Sequence, residues 1–318
     1  MKYSLKSSNI YDRAIDDLWN NYGFNFLRVL NLDLKGCIVS LTGWQNRNKI
    51  AAKIIKKATI GELKLWPKLL HPNILPLYER IRLEEYTVAF IIPLKSGNVL
   101  ETMKREHYKN YFDSFFIRKK WLFQILCGLN FMHQKGLYHL NMKLENVLIS
   151  NRSNVTICGF QFITTENIIE DPKKIGCRKA YLPPEVYSWN KSDCIKYVFV
   201  SEKIDMWSFG IIALEIITGK PIEKHSMLWR RFSTEWMKWN KGIEKMLKRI
   251  LNDRNQFKIL ITDAYPMIKF LPCHICIVMN FLNQFIKKNS TKRSSAQYGM
   301  KHDLFYVVSI TAIDRRAN

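Results

Sequence analysis

Between residue 26 and about residue 92 the apolar positions come in short runs separated by polar breaks: FLRVLNL, GCIVSLTG, KIAAKII and YTVAFII. Runs of this length, rich in β-branched residues, predict strands. One stretch among them, ATIGELKLW, predicts a helical piece. After Pro93 the period changes. YFDSFFIRKKWLFQILCGLNFMHQKG has apolar residues at helical spacing and predicts a helix stopped at Gly136, a residue suited to the left-handed C-terminal position. VLISNRSNVTICGF reads as a hairpin with a polar turn at NRSN. IDMWSFGIIALEIITGK is almost continuously apolar, which predicts a buried helix ended by Gly219. A short amphipathic patch, IYDRAIDDLW, predicts a helical lead-in. Strands first and helices later, with a seam near 93, make an α+β chain of two lobes. The boundaries fall at 1–23 for an extension, 24–93 for the small lobe, 94–306 for the large lobe and 307–318 for a tail.

Charge adds one thing to this picture. The 318 residues carry a net charge of +23, which suits acidic partners such as nucleic acid, phosphoinositide surfaces or acidic protein faces, although a solvated surface is the commoner role of such cations. They cluster at 224–250, where Trp229, Trp236 and Trp239 alternate with Arg230, Arg231, Lys238, Lys241, Lys245, Lys248 and Arg249. Aromatics among cations suit single-stranded nucleic acid, but a helix whose Trp residues pack inward and whose Lys residues face water is the commoner arrangement. The seven Cys are dispersed, which predicts free thiols in a reducing, intracellular compartment, cytoplasmic or nuclear. Cys273 and Cys276 form a lone C-x-x-C with no second pair, so two small buried thiols are expected rather than a metal site. MKYSLKSSNIYDRAIDD has no apolar stretch of a signal peptide, and FGIIALEIIT is too short to span a bilayer.

The order of motifs resembles the eukaryotic protein-kinase family, Ser/Thr type, over roughly residues 24–306. KIAAK ends in Lys53 and GELKLWPKLLHPNI carries Glu62, at the places of the family's paired lysine and helix glutamate. HLNMKLEN matches the catalytic loop and retains His139, Lys143 and Asn146. TICGFQ stands where the metal-binding DFG motif belongs. YLPPEV supplies Glu185, IDMWSFGII supplies Asp205, and KKNSTKRSSAQ supplies Arg293 as a partner for Glu185. The resemblance implies a two-lobed kinase fold: a small antiparallel-sheet N-lobe with one helix and a larger, mainly helical C-lobe. It also implies an adenine sandwich of Ile38, Ala51 and Leu148, a buried stack of Trp66, Leu77, Phe160 and His139, and an Asp205 carboxylate bracing the catalytic loop.

The departures concern chemistry. Phosphoryl transfer needs phosphates positioned, charge neutralised and the nucleophile oriented. Asn141 stands in place of the base Asp, and an amide cannot take a proton at neutral pH. Gly159 stands in place of the metal-ligand Asp, leaving Asn146 as a weak Mg²⁺ ligand; Glu145 is expected to point elsewhere, and Glu166 offers a remote substitute. The phosphate-covering glycines fall at NLDLKG, where Asn31 and Asp33 replace two of them and Gly36 remains. Leu140 replaces the Arg that reads a phosphorylated activation loop, so Thr164 and Thr165 lack that reader. Pro67 should kink or end the helix near Trp66 and puts the Lys53–Glu62 pair in question.

These residues together predict a pseudokinase: a scaffold, allosteric partner or decoy that binds an active kinase or its substrate. ATP is then held weakly and the Mg²⁺ site is defective. Two alternatives stand beside it, a divergent but active ATP-dependent Ser/Thr kinase, and a basic nucleic-acid- or membrane-surface-binding protein on the same fold.

Overall fold

The computed structural model describes residues 10–33, 36–43, 49–84, 86–104, 114–150, 154–189, 196–221, 247, 251–264 and 272–306. The chain divides into two compact units, Met1–Lys95 and Ser96–Asn318. Together they make a bilobal kinase fold, with a small sheet-based N-lobe and a larger, mainly helical C-lobe.

In the first unit, helix α1 (Ile10–Tyr22) precedes an antiparallel sheet of β1 (Asn25–Asp33), β2 (Gly36–Thr42), β3 (Ile50–Ile55), β4 (Glu79–Arg82) and β5 (Val88–Pro93), in the order β1-β2-β3-β5-β4. The predicted runs become strands because their apolar residues alternate between two useful faces. One face presents Cys37, Val39, Leu41, Ile50, Ala52, Ile54, Ala89 and Ile91, and the buried Ala14 and Leu18 of α1 complete that core. The other face is set by register. Ile38 lies opposite Lys53, Ser40 opposite Ala51, and Lys53 in turn opposite Phe90. The small lobe therefore buries oil on one face and carries its chemistry on the other.

The helical piece predicted at ATIGELKLW is present but irregular. A single wide turn, Gly61–Leu65, closes when Trp66 N–H bonds the Gly61 carbonyl, and a 3₁₀ turn at Trp66–Lys68 follows. Pro67 explains the ending, since it has no N–H to continue the helix. Trp66 is nonetheless buried; its indole N–H donates to the Leu75 carbonyl at 2.7 Å and its ring meets Phe90 at 5.2 Å.

The second unit is built on α3 (Ser114–Gln134) and α5 (Glu202–Thr218). Gly136 and Gly219 both have left-handed backbone, with φ +65° and +67°, and end these helices. α5 is buried along almost its whole length, including the charged Asp205 and Glu215. The Arg118 guanidinium donates to the Ile216 carbonyl at 3.1 Å, a cation placed on the negative end of α5. Ahead of α3 lie β6 (Gly97–Asn98) and α2 (Val99–Lys104). β6 joins the antiparallel hairpin of β7 (Val147–Ile149) and β8 (Val155–Ile157), and β9 (Ile168–Ile169) pairs with β10 (Val198–Phe199). α4 (Pro184–Trp189), α6 (Arg254–Ala264) and α7 (Pro272–Phe285) fill out the lobe.

Cys273 and Cys276 need correction. Cys273 is exposed and Cys276 half-buried. The buried stripe of α7 runs through Ile275, Val278, Phe281, Leu282 and Phe285, so helical spacing leaves Cys273 outside it. Most of 224–250 and residues 151–153 of the NRSN turn lie outside the described residues. Among the described residues no helix is long and apolar enough to cross a membrane.

Candidate active site

The N-lobe contribution centres on Lys53 and Glu62. Lys53 Nζ meets Glu62 Oε1 at 2.5 Å, with the lysine 22% exposed and the glutamate 2%. A short helix does not leave Glu62 loose, because its second oxygen is anchored. Glu62 Oε2 accepts from the Thr59 N–H at 3.1 Å and from Thr59 Oγ1 at 3.2 Å, while Glu62 N–H donates to Thr59 Oγ1 at 3.3 Å. These reciprocal bonds form a capping box, in which the first-turn glutamate satisfies a backbone donor that the helix cannot. One carboxylate thus caps the helix and holds the lysine. The doubt raised by Pro67 is answered by Thr59, whose T-x-x-E signal was present in TIGE but was not read.

The NLDLKG stretch closes on itself. Asp33 Oδ1 accepts from the Gly36 N–H at 3.1 Å, and Asn31 Nδ2 donates to Asp33 Oδ2 at 3.4 Å. Gly36 has no room for a side chain: a Cβ would sit 2.6 Å from the Ile54 carbonyl oxygen. Ile38 is half-buried and Ala51 buried on this lobe; Leu148 of the other lobe is half-buried, as is Leu77.

In the C-lobe, Asp205 organises the catalytic loop. Its Oδ2 accepts from His139 N–H at 2.8 Å and from His133 Nε2 at 3.0 Å, and its Oδ1 accepts from Leu140 N–H at 2.9 Å. Burial by itself would raise this carboxyl, but the His133 bond and charge, with the His139 contacts, hold it below the usual carboxylate range. His139 Nε2 bonds the Cys158 carbonyl at 2.9 Å, and its Nδ1 bonds the Asn141 N–H at 3.2 Å. Donation at Nε2 and acceptance at Nδ1 define the neutral tautomer, and burial lowers the pKa of this imidazole. Phe160 meets the His139 ring edge-on at 5.6 Å. His133 was missed in the sequence; its placement beside Asp205 depends on tertiary packing.

Asn141, Asn146 and Gly159 form one cluster. Asn141 is buried, and its Oδ1 has no hydrogen-bond partner among the described residues. Asn146 Nδ2 donates to the Asn141 carbonyl at 2.7 Å. Gly159 has φ +87°, and a Cβ there would lie 2.6 Å from the Asn146 side chain. The amide of Asn146 therefore fills the space an aspartate at 159 would need. The cluster of Asn141, Asn146 and Gly159 offers amides and no carboxylate, whereas Mg²⁺ favours carboxylate oxygens in near-octahedral array. Among the described residues no group of three His, Cys, Asp or Glu side chains could hold a metal. Glu145 forms an ion pair with Arg178, and Glu166 pairs with Lys174 at 3.1 Å. Lys143 is half-buried in the same loop.

Glu185 and Arg293 meet in a two-pronged bond of 2.6 and 2.7 Å, with the arginine fully buried and the glutamate 27% exposed. Arg293 also donates to the carbonyls of Lys203, Lys287 and Lys288 and stacks on Trp207 at 4.9 Å.

Residues 35–305 match the family model of the protein kinase domain. Among curated proteins, the chain is similar to the mitogen-activated protein kinase HOG1 of Saccharomyces cerevisiae, 27% identical over 66% of this chain and 46% of the relative. It is 29% identical to HOG2 of Zygosaccharomyces rouxii over 53% of this chain and 37% of that protein. It is also 29% identical to the kinase sakA of Aspergillus fumigatus over 53% of this chain and 42% of that protein. The matched stretches thus span less than half the length of these relatives. These relatives are named as protein kinases, which overturns the expectation of a pseudokinase acting as scaffold, decoy or allosteric partner, and with it the leaning against enzymatic activity. Asn141 in the catalytic loop and Gly159 in the TICGFQ stretch mark divergence from the family's pattern. The chain belongs to the protein kinase domain family.

Proposed function

We propose that this chain is a divergent, ATP-dependent protein serine/threonine kinase. The observation that carries the reading is the Lys53–Glu62 pair, anchored by Thr59 so that the lysine is held ready for phosphate oxygens. Similarity to named mitogen-activated protein kinases supports it. Transfer through a loose transition state asks mainly for positioning and charge. Lys53 supplies charge from the N-lobe and Lys143 from the catalytic loop. Asn141, at the place of the base, is an amide whose Oδ1 is enclosed by protein, so it presents no proton acceptor to the substrate hydroxyl. As the hydroxyl oxygen bonds to the terminal phosphorus, the bond to the ADP oxygen breaks. The proton passes to a phosphoryl oxygen, because the amide cannot hold it.

Ile38 and Ala51 of the small lobe would offer the adenine an apolar face. We propose that nucleotide binds weakly and that Mg²⁺ strengthens it little, since Gly159 and the Asn146 amide offer no carboxylate. Partners are protein substrates; the basic stretch 224–250 suits acidic ones on its composition. The test is transfer of labelled terminal phosphate from ATP to a generic protein substrate, with Mg²⁺, with Mn²⁺ and with chelator. Incorporation above that of a Lys53→Met variant is expected. Incorporation equal to that variant under all three conditions would rule the kinase reading out.

A further inference from the structure

Between Leu83, which follows β4, and Thr87, which precedes β5, the sequence runs Glu84, Glu85, Tyr86. The Leu83 N–H donates to the Thr87 carbonyl at 2.9 Å, and the Thr87 N–H donates to the Glu84 carbonyl at 3.1 Å. Leu83 and Thr87 are buried, so the turn stands on a fixed base. A hairpin turn of this length needs a left-handed residue at its last position, and glycine takes that position without strain. Here it is held by Tyr86, with φ +60°. A bulky side chain in this region is a strained outlier. The strain does nothing for the fold. Tyr86 is 93% exposed, and its ring and hydroxyl have no hydrogen bond or ring contact among the described residues.

Strand register brings cations to the same end of the sheet. Arg82 lies opposite Val88, and Val88 lies opposite Ile55, after which come Lys56 and Lys57. All three cations are exposed, and none has an acidic partner among the described residues. Arg80 is held instead by the Leu63 carbonyl at 3.1 Å. The acids nearest in sequence are Glu84 and Glu85, with Glu79 at the other end of β4. We propose that Tyr86 is a phosphate acceptor for a protein-tyrosine kinase other than this chain, and that Arg82, Lys56 and Lys57 hold the phosphotyrosine. In the transfer the phenol oxygen bonds to the terminal phosphorus of ATP, the bond from that phosphorus to the ADP oxygen breaks, and the phenol proton passes to the transferring enzyme's base. The enzyme must surround the acceptor hydroxyl, and a side chain with no contacts of its own can be surrounded without local unfolding. The product suits the turn because a phosphate brings up to two negative charges and three acceptor oxygens to cations that are otherwise unengaged. Glu84 and Glu85 oppose the added charge, and the three cations outnumber them. The proposal does not rest on the kinase reading.

The test is incubation of the full chain with a broad-specificity protein-tyrosine kinase domain, ATP and Mg²⁺, with phosphate positions mapped by mass. A Lys53→Met chain run beside the parent removes transfer by this chain itself. Tyr86 is expected to fill at least about tenfold faster than Tyr22 and Tyr197, whose hydroxyl or ring is engaged and must first be freed. Tyr86→Phe should lose that uptake. Tyr86→Gly should melt no lower than the parent, since glycine suits the angle. In the phosphorylated chain, the ³¹P resonance followed against pH should give a midpoint at least about 0.3 unit below that of a chain carrying Lys56→Ala, Lys57→Ala and Arg82→Ala. Equal midpoints would overturn the role of the cations. No uptake at Tyr86, or uptake no faster than at Tyr22 and Tyr197, would overturn the acceptor, and so would a fall of more than about 3 °C in the melting of Tyr86→Gly, which would show that the ring serves the fold.

Discussion

Asn141 shows how one atom can decide the chemistry of a loop. Its backbone N–H and carbonyl serve His139 and Asn146, and its side-chain oxygen is left without a partner among the described residues. Replacing it by aspartate changes no shape and adds a proton acceptor. Asn141→Asp is therefore expected to raise the transfer rate by about 10²- to 10⁴-fold, read from initial rates of phosphate incorporation. An unchanged rate would place proton removal elsewhere. Glu185 and Arg293 carry the opposite lesson, because there the carboxylate serves stability. Truncating Glu185→Ala strands a fully buried guanidinium that keeps only carbonyl acceptors and the Trp207 face. A loss of about 3 kcal/mol is expected, at the low end for a broken buried pair because those carbonyls remain, and denaturant unfolding would measure it. The identities of Lys53, Glu62, Glu185 and Arg293 were legible as motif positions. Thr59 as the partner of Glu62, and the left-handed backbone of Tyr86, were not, because both depend on where neighbouring backbone comes to lie.

At the scale of elements, the β1–β2 hairpin has become self-sufficient. Its Asp33 carboxylate takes the Gly36 N–H, the kind of backbone donor that a phosphate would otherwise use. Asp33 and an incoming triphosphate thus compete for one donor, and their charges also repel. Asp33→Ala is expected to tighten ATP binding about tenfold, since a hydrogen bond to a charged group is worth roughly 1.5–3 kcal/mol. Asp33→Asn, which removes the charge and keeps an acceptor, should give less. Calorimetry on the parent and both variants would check this, and weaker binding to Asp33→Ala would show that the hairpin needs its own cap more than the nucleotide needs the donor. The strands themselves were readable from alternation, as were α3 and α5 from spacing and their terminal glycines. The helical piece at ATIGELKLW and its break near Trp66 were readable from spacing and Pro67, but the wide turn at Gly61–Leu65 and the 3₁₀ turn after it were not.

For the whole molecule, burial of imidazoles links stability to pH. His71, His139 and His302 are all pushed below their ordinary pKa, in each case chiefly by burial. The unfolded chain binds these protons near pH 6.5 and the folded chain resists them, so stability is complete above about 6.5 and declines as pH falls below it. Thermal melting is expected to drop between about pH 7.5 and pH 5.5, and His139→Gln should lessen the slope; a flat profile would mean that the imidazoles are solvated. By itself the sequence determined the α+β class and the absence of carboxylates at 141 and 159, because those are matters of residue type and spacing along one chain. Only the tertiary structure decided that Glu62 both caps a helix and holds Lys53, that Asn146 occupies the space beside Gly159, and that Tyr86 takes a left-handed position in its turn. Each of these joins atoms distant in sequence or fixes a backbone angle, and such relations arise only when separate elements compete for the same volume.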